Sequence, residues 1–358
     1  MRRTNYQLEL ISSLSKNTEA YPHEVSKIAA KETHISWVIL TGRFAYKIKK
    51  ELKFGRILDF STLTLRREFC QKEVDINKLL CSDMYIGVVK LIKQKRELGQ
   101  GERTIKVVDL KSKGRALEYA IKMLDIPQKF RMDNLLEEGK INSDIVDKLT
   151  SILVKFHHST PTNRKISNFG RPKFMRRKVD ENFTTLSRLT KIDPKFEKKL
   201  NSFIKEKRNL FLERIRHEKI RDIHGDLYLK NIFIIPDKNN DNNHDKFYLY
   251  DRLEFNDALR YADVAEDVAH LAMDLDLHES SELRKHLIYA YKLQAKDTSL
   301  EDIVYFLMCY KACVRVKVSL FRAKGKDKNN SDDRKIIDQA EEDARSHMAL
   351  AESYLKLF

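Results

Sequence analysis

Two runs near the start of the chain, "SWVIL" (36–40) and "RFAYKIKK" (43–50), are rich in β-favouring residues and flank Thr41-Gly42, so they predict an antiparallel hairpin. The period then changes. Between Leu65 and Leu80, residues Phe69, Glu73, Ile76 and Leu80 recur at helical spacing. Short apolar runs follow at "YIGVVKLI", "TIKVVDL" and "ALEYAIKML". The pattern predicts a small sheet with one helix laid on it, an N-terminal lobe over 1–123.

From about Asp125 the pattern is mostly helical, which makes 124–358 the second lobe. In "NSDIVDKLTSILVKFHH" the cap-forming Asn142, Ser143 and Asp144 precede Ile145, Leu149, Ile152, Leu153 and Phe156 on one face. His157 and His158 close that helix, where packing or the helix dipole accounts for them better than catalysis. The basic span from about 174 to 221 reads as a helical insertion. "EDIVYFLMCYKACVRVKVSLFR" is apolar nearly all round and is expected to be buried, whereas "DDRKIIDQAEEDARSHMALAESYLKLF" is amphipathic. "DKNNDNNHD" (237–245) reads as a short loop.

One run breaks the apolar pattern. "DIHGDLYLKNIFII" (222–235) ends as a buried strand but starts with His224, Asp226 and Asn231, which an ordinary strand interior avoids. After a polar loop comes "FYLYD" (247–251), so "IFII" and "FYLYD" predict a second hairpin. Pairing Ile235 with Phe247 would set Asn231 opposite Asp251, an amide oxygen beside a carboxylate. A hard cation such as Mg²⁺ takes such oxygens and fills its other positions with water and phosphate. Asp226, five residues before Asn231, is then the candidate to accept a proton from a substrate hydroxyl. His224 braces the loop, and Gly225 lets it turn.

The spacing Asp-x-x-x-x-Asn, then a strand pair and another Asp, is that of kinase catalytic and metal loops. A kinase also needs a cation on the nucleotide phosphates and an acid to hold that cation. Lys47 in "FAYKIKK" matches the strand lysine; Lys49 points the same way along the strand and competes for the assignment. Glu73 and Glu68 both lie on the predicted helix. Glu73 is preferred because it shares a face with Phe69, Ile76 and Leu80. Only Gly42 marks a phosphate loop, and the backbone around Met123 and Leu124 is the expected adenine-binding hinge.

The resemblance then becomes specific. "ETHISWVILTGRFAYKIKK", "LDFSTLTLRREFCQKEV", "MYIGVV", "EYAIKML", "HGDLYLKNI" and "DRLEFNDALRYADVAEDVAHLAMDLD" resemble, in this order, a family related to aminoglycoside phosphotransferases whose members often carry a second, P-loop ATPase domain. The resemblance implies an α+β, two-lobed protein-kinase-like fold that uses ATP and Mg²⁺. It implies Asp226 as catalytic residue, Asn231 and Asp251 as metal ligands, and Lys47 with Glu73 as the phosphate lysine and its partner. Asp263 and Asp267 match acidic positions after the metal loop, as props of the site or as acids in a helix's first turn. Tyr228 and Arg252 depart from the family pattern, which bears on substrate handling. No Gly-x-x-x-x-Gly-Lys-Ser/Thr occurs, so no fused ATPase domain is expected in this chain.

Composition narrows the partners. The net charge of +16 favours anionic ones, but the basic residues are dispersed and no zinc-finger or RNA-recognition signature accompanies them, which disfavours nucleic acid. The four cysteines are scattered and read as reduced thiols. No run approaches the roughly 18 apolar residues of a membrane span, and "MRRTNYQLELISS" lacks a signal-peptide core, so no membrane partner and a cytoplasmic location are expected. The expected activity is ATP-dependent transfer of phosphate to a small-molecule hydroxyl acceptor. A metabolite is favoured because too few residues separate Asp251 from the helix expected near Asp263 for a long activation segment. "DLDLHES" (274–280) offers an acidic wall for a cationic acceptor such as an aminoglycoside. The rival readings are a nucleotide-binding regulatory protein without transfer activity and, on charge alone, a nucleic-acid-binding module.

Overall fold

The computed structural model describes residues 2–55, 57–95, 103–236, 245–327 and 329–358, so most of the Asn/Asp-rich loop lies outside the described residues. The chain forms two compact units: Met1–Phe130 with Phe233–Asn256, and Arg131–Ile232 with Asp257–Phe358.

The first unit is built on a six-stranded sheet. Its spatial order is Ala29–Glu32, Ser36–Leu40, Phe44–Lys49, Glu118–Leu124, Tyr85–Lys95 and Arg103–Asp109, with every neighbouring pair antiparallel. The predicted turn at Thr41-Gly42 joins two of these strands, with Leu40 paired to Ala45 and Gly42 at φ +86°. Strand Phe44–Lys49 lies inside the sheet, so its period of two decides what each face receives. Phe44, Tyr46 and Ile48 pack with Leu10, Leu14 and Tyr21. The helix Arg2–Lys16, which supplies Leu10 and Leu14, is a second helical layer beyond the single helix that the sequence pattern suggested.

The alternate residues Ala45, Lys47 and Lys49 face the other way, toward the helix Leu63–Cys81. Thr62 caps that helix, its Oγ1 accepting the Leu65 amide at 3.2 Å. Cys70, Val74 and Cys81 then pack with Ala45, Val88, Ile121 and Met123. The hairpin of Ile232–Ile235 with Lys246–Leu249 contributes Phe233 and Tyr248 to the same core.

The second unit is helical. Asn142 caps Ser143–Ser159 through the Ile145 amide at 3.1 Å. Helices Pro172–Leu186, Lys195–Glu206 and Arg208–Arg216 occupy the basic span, which ends in strand Ile220–Asp222. That strand pairs antiparallel with Tyr261–Asp263, setting Asp222 against Tyr261 and Ile220 against Asp263. The helix Ala265–Leu277 is apolar on most sides and buried from Ala265 to Leu275, packed against Ser281–Gln294 and Glu301–Ala323. Glu301–Ala323 and Ser331–Tyr354 pack against one another. All four cysteines are buried free thiols. Among the described residues no helix is long and apolar enough to cross a membrane.

Candidate active site

In the first unit, strand alternation aims two lysines at one carboxylate. Lys47 Nζ donates to Glu73 Oε1 at 2.8 Å and to Asp251 Oδ1 at 2.6 Å. Lys49 Nζ donates to Glu73 Oε2 at 2.7 Å and also to Glu254, and lies 4.7 Å from the centroid of Phe60. Glu73 is fully buried, so its two oxygens are divided between the two lysines. Burial pushes the Lys47 ammonium toward neutrality, but Asp251, Glu73 and Glu254 outweigh it and hold the pKa well above the usual value. Glu254 moves the other way: burial, reinforced by Glu73, raises its pKa against the pull of Lys49 and Lys47.

Asp251 sits at φ +64°, a left-handed conformation that costs a non-glycine residue about 1 kcal/mol or more. Neighbours hold it there. Its amide donates to the Tyr85 hydroxyl at 3.2 Å, and the Arg252 amide to Asn77 Oδ1 at 2.8 Å. Asn77 Nδ2 donates to the Glu73 carbonyl at 2.9 Å, so one helix turn fixes both Glu73 and the segment that carries Asp251. Met123 is buried in the sheet core. The Leu124 amide donates to the Met84 carbonyl at 2.9 Å and that of Asp125 to Arg43 at 3.1 Å, so both amides are engaged within the unit.

In the second unit, the buried helix Ala265–Leu277 fixes the loop around Asp226. Asp267, His270 and Asp274 recur at helical spacing on one of its faces. Asp267 Oδ2 accepts the His224 amide at 2.7 Å and Oδ1 the Gly225 amide at 2.9 Å. His157 Nε2 lies 3.0 Å from Asp267 Oδ2, and its Nδ1 lies 2.7 Å from the Tyr291 hydroxyl. Burial raises the Asp267 pKa, but His157, His224 and the Gly225 amide outweigh it and leave the carboxyl below its usual range. One turn on, Asp274 Oδ2 accepts the Leu229 amide at 2.8 Å. Gly225 adopts φ +88°, which suits the tight turn.

The Asp226 amide donates to His224 Nδ1 at 3.3 Å, and the Asp226 carbonyl accepts Asn231 Nδ2 at 3.0 Å. The Asp226 side chain keeps 30% exposure, in a loop whose other polar groups are largely buried. Asp263, at the end of strand Tyr261–Asp263, accepts Arg214 at 2.5 and 2.6 Å and the Ala265 amide at 2.9 Å. Asp297 takes the remaining face of Arg214 at 2.9 and 3.0 Å.

Within the first unit, the structure brings together Lys47, Glu73 and Asp251. Within the second it brings together His224, Asp226, Asn231 and Asp267, whereas Asp263 belongs to the Arg214 network. Sequence reading did not select Glu254, Asn77, Tyr85 or His270. His270 had a visible signal, three residues after Asp267 on a helix; Glu254 had none, because only folding sets it against Lys49.

The donor set suits a hard cation. Among the described residues no three His, Cys, Asp or Glu are placed to hold a metal by themselves. Asn231 Nδ2 is engaged by Asp226, and no hydrogen bond from a described residue reaches its Oδ1. A carboxamide oxygen of this kind fits Mg²⁺, which keeps several waters and phosphate oxygens, better than a metal that needs a closed cage of protein ligands.

Comparison with solved structures places this geometry on a known fold. The chain matches an amicoumacin kinase, solved with AMP-PNP, Ca²⁺ and Ami, at a TM-score of 0.50 and 11% identity, over 98% of this chain and 95% of that one. A choline kinase from Cryptosporidium parvum Iowa II matches at a TM-score of 0.49 and 11% identity, over 98% and 94%. The fold is the α+β, two-lobed kinase-like one that the sequence resemblance implied.

By sequence, an uncharacterised protein of Mycobacterium tuberculosis (strain ATCC 25618 / H37Rv) is 27% identical over 336 residues, 92% of this chain and 60% of that protein. A protein of Mycobacterium bovis, also uncharacterised, matches to the same extent. The chain thus spans 60% of the length of the curated relatives it matches. No family model matches it.

Proposed function

We propose that the protein transfers the γ-phosphate of ATP to a hydroxyl of a small molecule. The observation that carries this reading is the fully buried Glu73 holding Lys47, which also meets Asp251. A strand lysine paired with a helix glutamate, beside the aspartate that serves the metal, is the arrangement on which kinase phosphate binding depends. Bound Mg²⁺·ATP supplies the phosphoryl group, and the cation offsets its charge.

The chain's own residues divide the remaining work. Lys47, kept charged by its carboxylates, takes phosphate oxygens. Asn231 and Asp251 are assigned to the cation. Asp226 accepts the proton of the acceptor hydroxyl as that oxygen bonds to the γ-phosphorus and the bond from that phosphorus to the bridging oxygen of ADP breaks, ADP leaving, and Asp267 holds the Asp226 loop through two backbone amides. Met123 and Leu124 are assigned to the adenine through packing, given that the Leu124 amide already serves Met84.

The test is ADP release and product mass spectrometry over a panel of sugars, polyols, nucleosides, hydroxy acids and amino alcohols with ATP and Mg²⁺. Asp226→Asn is expected to lower turnover by roughly 10²–10⁴-fold with nucleotide affinity nearly unchanged. Well-folded protein that neither binds nucleotide nor turns over an acceptor would refute the proposal, as would an Asp226→Asn variant of undiminished rate.

A further inference from the structure

Beside Asp226, within the helical unit, lies a group of side chains that the proposed chemistry does not use. His270 is 4% exposed, neither of its ring nitrogens has a hydrogen-bond partner among the described residues, and its Nδ1 lies 3.8 Å from Asp226 Oδ1. A buried imidazole left in that state gives up a hydrogen bond on each side. Its ring stacks on Tyr228 at 5.5 Å and 16°, and the Arg315 guanidinium lies 4.9 Å from the centroid of the same tyrosine.

Arg315 is half-buried, and no described carboxylate comes within ion-pairing distance of it, whereas on the same helix Lys311 pairs with Glu266 at 3.2 Å and Arg322 with Asp343. The surroundings are positive. Burial, then Lys311, Arg315, His347 and His224, push the His270 pKa well below its usual value. Burial, then Arg315, Arg322 and Lys230, take that of His347 to about 3.

Of the three acids that the sequence offered as a wall for a cationic acceptor, Glu279 is exposed and the other two are engaged within the unit. Asp274 accepts the Leu229 amide, and Asp276 accepts Arg284 at 2.9 Å and the Tyr354 hydroxyl at 2.7 Å. Asp274 feels the charge of Arg315 but forms no close ion pair with it, so a cationic acceptor is repelled by a guanidinium with which an anionic one pairs.

We propose that the acceptor is an anion, a hydroxy compound whose carboxylate or phosphate pairs with Arg315 while His270 hydrogen-bonds the acceptor beside Asp226. This rests on the phosphotransferase reading and narrows it. Arg315 is placed on the aromatic face of Tyr228 and keeps its fork of donors for a planar or tetrahedral anion.

The binding experiment is calorimetry with inorganic phosphate and with glycerate, separately, on full-length protein saturated with Mg²⁺·ADP. At least one of the two is expected to bind in the millimolar range, to weaken tenfold or more in Arg315→Met, and to be largely retained in Arg315→Lys. Which of them binds distinguishes phosphate from carboxylate. Absence of binding by both, or equal binding in folded Arg315→Met, overturns the inference. In the turnover experiment, glycerol, glycerate, glycerol 3-phosphate and choline compete in one assay with other matched neutral, anionic and cationic hydroxy compounds. Arg315→Met is expected to raise the KM of the preferred anionic acceptor by 10–100-fold with kcat within about threefold. Preference for a neutral or cationic acceptor overturns the inference and leaves the phosphotransferase intact; loss of Mg²⁺·ADP binding itself counts against the phosphotransferase instead.

Discussion

Replacing Lys49 with methionine tests the reading of the first unit most directly. Lys49 is fully buried between two carboxylates, Glu73 and Glu254, that are themselves 0% and 3% exposed. Methionine keeps the volume and removes the charge. Glu73 retains Lys47, but Glu254 loses the ammonium that opposes the effect of burial on its pKa. Removing one partner of a buried ion pair costs about 3–5 kcal/mol when the other stays ionised.

The cost depends on pH with a definite sign. Burial already raises the Glu254 pKa above its ordinary 4.5, and loss of Lys49 raises it further. The folded variant then holds a proton that the unfolded chain has released, so its stability falls as pH rises above 4.5 until the folded pKa is passed. The slope approaches about 1.4 kcal/mol per pH unit. The chain's one tryptophan, Trp37, lies on strand Ser36–Leu40 of the same unit, so its fluorescence during urea unfolding reports on the right part of a molecule that need not unfold as one. The expected result is a loss of about 3–5 kcal/mol at pH 8 that shrinks by about 2 kcal/mol or more by pH 5.5. A loss below about 1 kcal/mol, or one identical at both pH values, would refute the account.

Two further outcomes concern the helical unit. Asp267→Asn replaces an acceptor of two loop amides and of His157 with a group that brings donors of its own, and is expected to cost about 1–3 kcal/mol and to lower turnover. Because the Asp267 pKa is held below its ordinary 3.8, its contribution is present above that pH and fades as pH falls through the folded value. The gap between wild type and variant in acid unfolding should therefore close below about pH 4, and a gap that persists undiminished would contradict the assignment. Arg214→Met leaves Asp263 and Asp297 without the cation that bridges them, with an expected loss of about 3–5 kcal/mol by far-ultraviolet circular dichroism; an unchanged transition would show that the network contributes nothing.

Local pattern was enough to select residues that the structure brings together within each unit. The period of two in "FAYKIKK" put Lys47 and Lys49 on one face, and the helical spacing of Phe69, Glu73 and Ile76 turned Glu73 inward, because side-chain direction within a strand or helix follows from backbone geometry alone. The break in apolar pattern at His224, Asp226 and Asn231 was visible for the same reason. Burial of polar groups is costly, so their presence beside a strand calls for a specific use.

What the sequence left open depends on contacts between distant segments. Glu254 joins Lys49 across 205 residues, and Asp267 reaches the Gly225 amide across 42. No spacing rule encodes either. Of the acids of 274–280, folding engages Asp274 with a backbone amide and Asp276 with an arginine and a tyrosine, and leaves Glu279 exposed. The sequence by itself determined which residue types were available and which way each points on its own element. Only the tertiary structure decided which charges neutralise one another and which, like Arg315, have no described carboxylate at ion-pairing distance, because Coulomb energy and desolvation depend on distance and burial rather than on position along the chain.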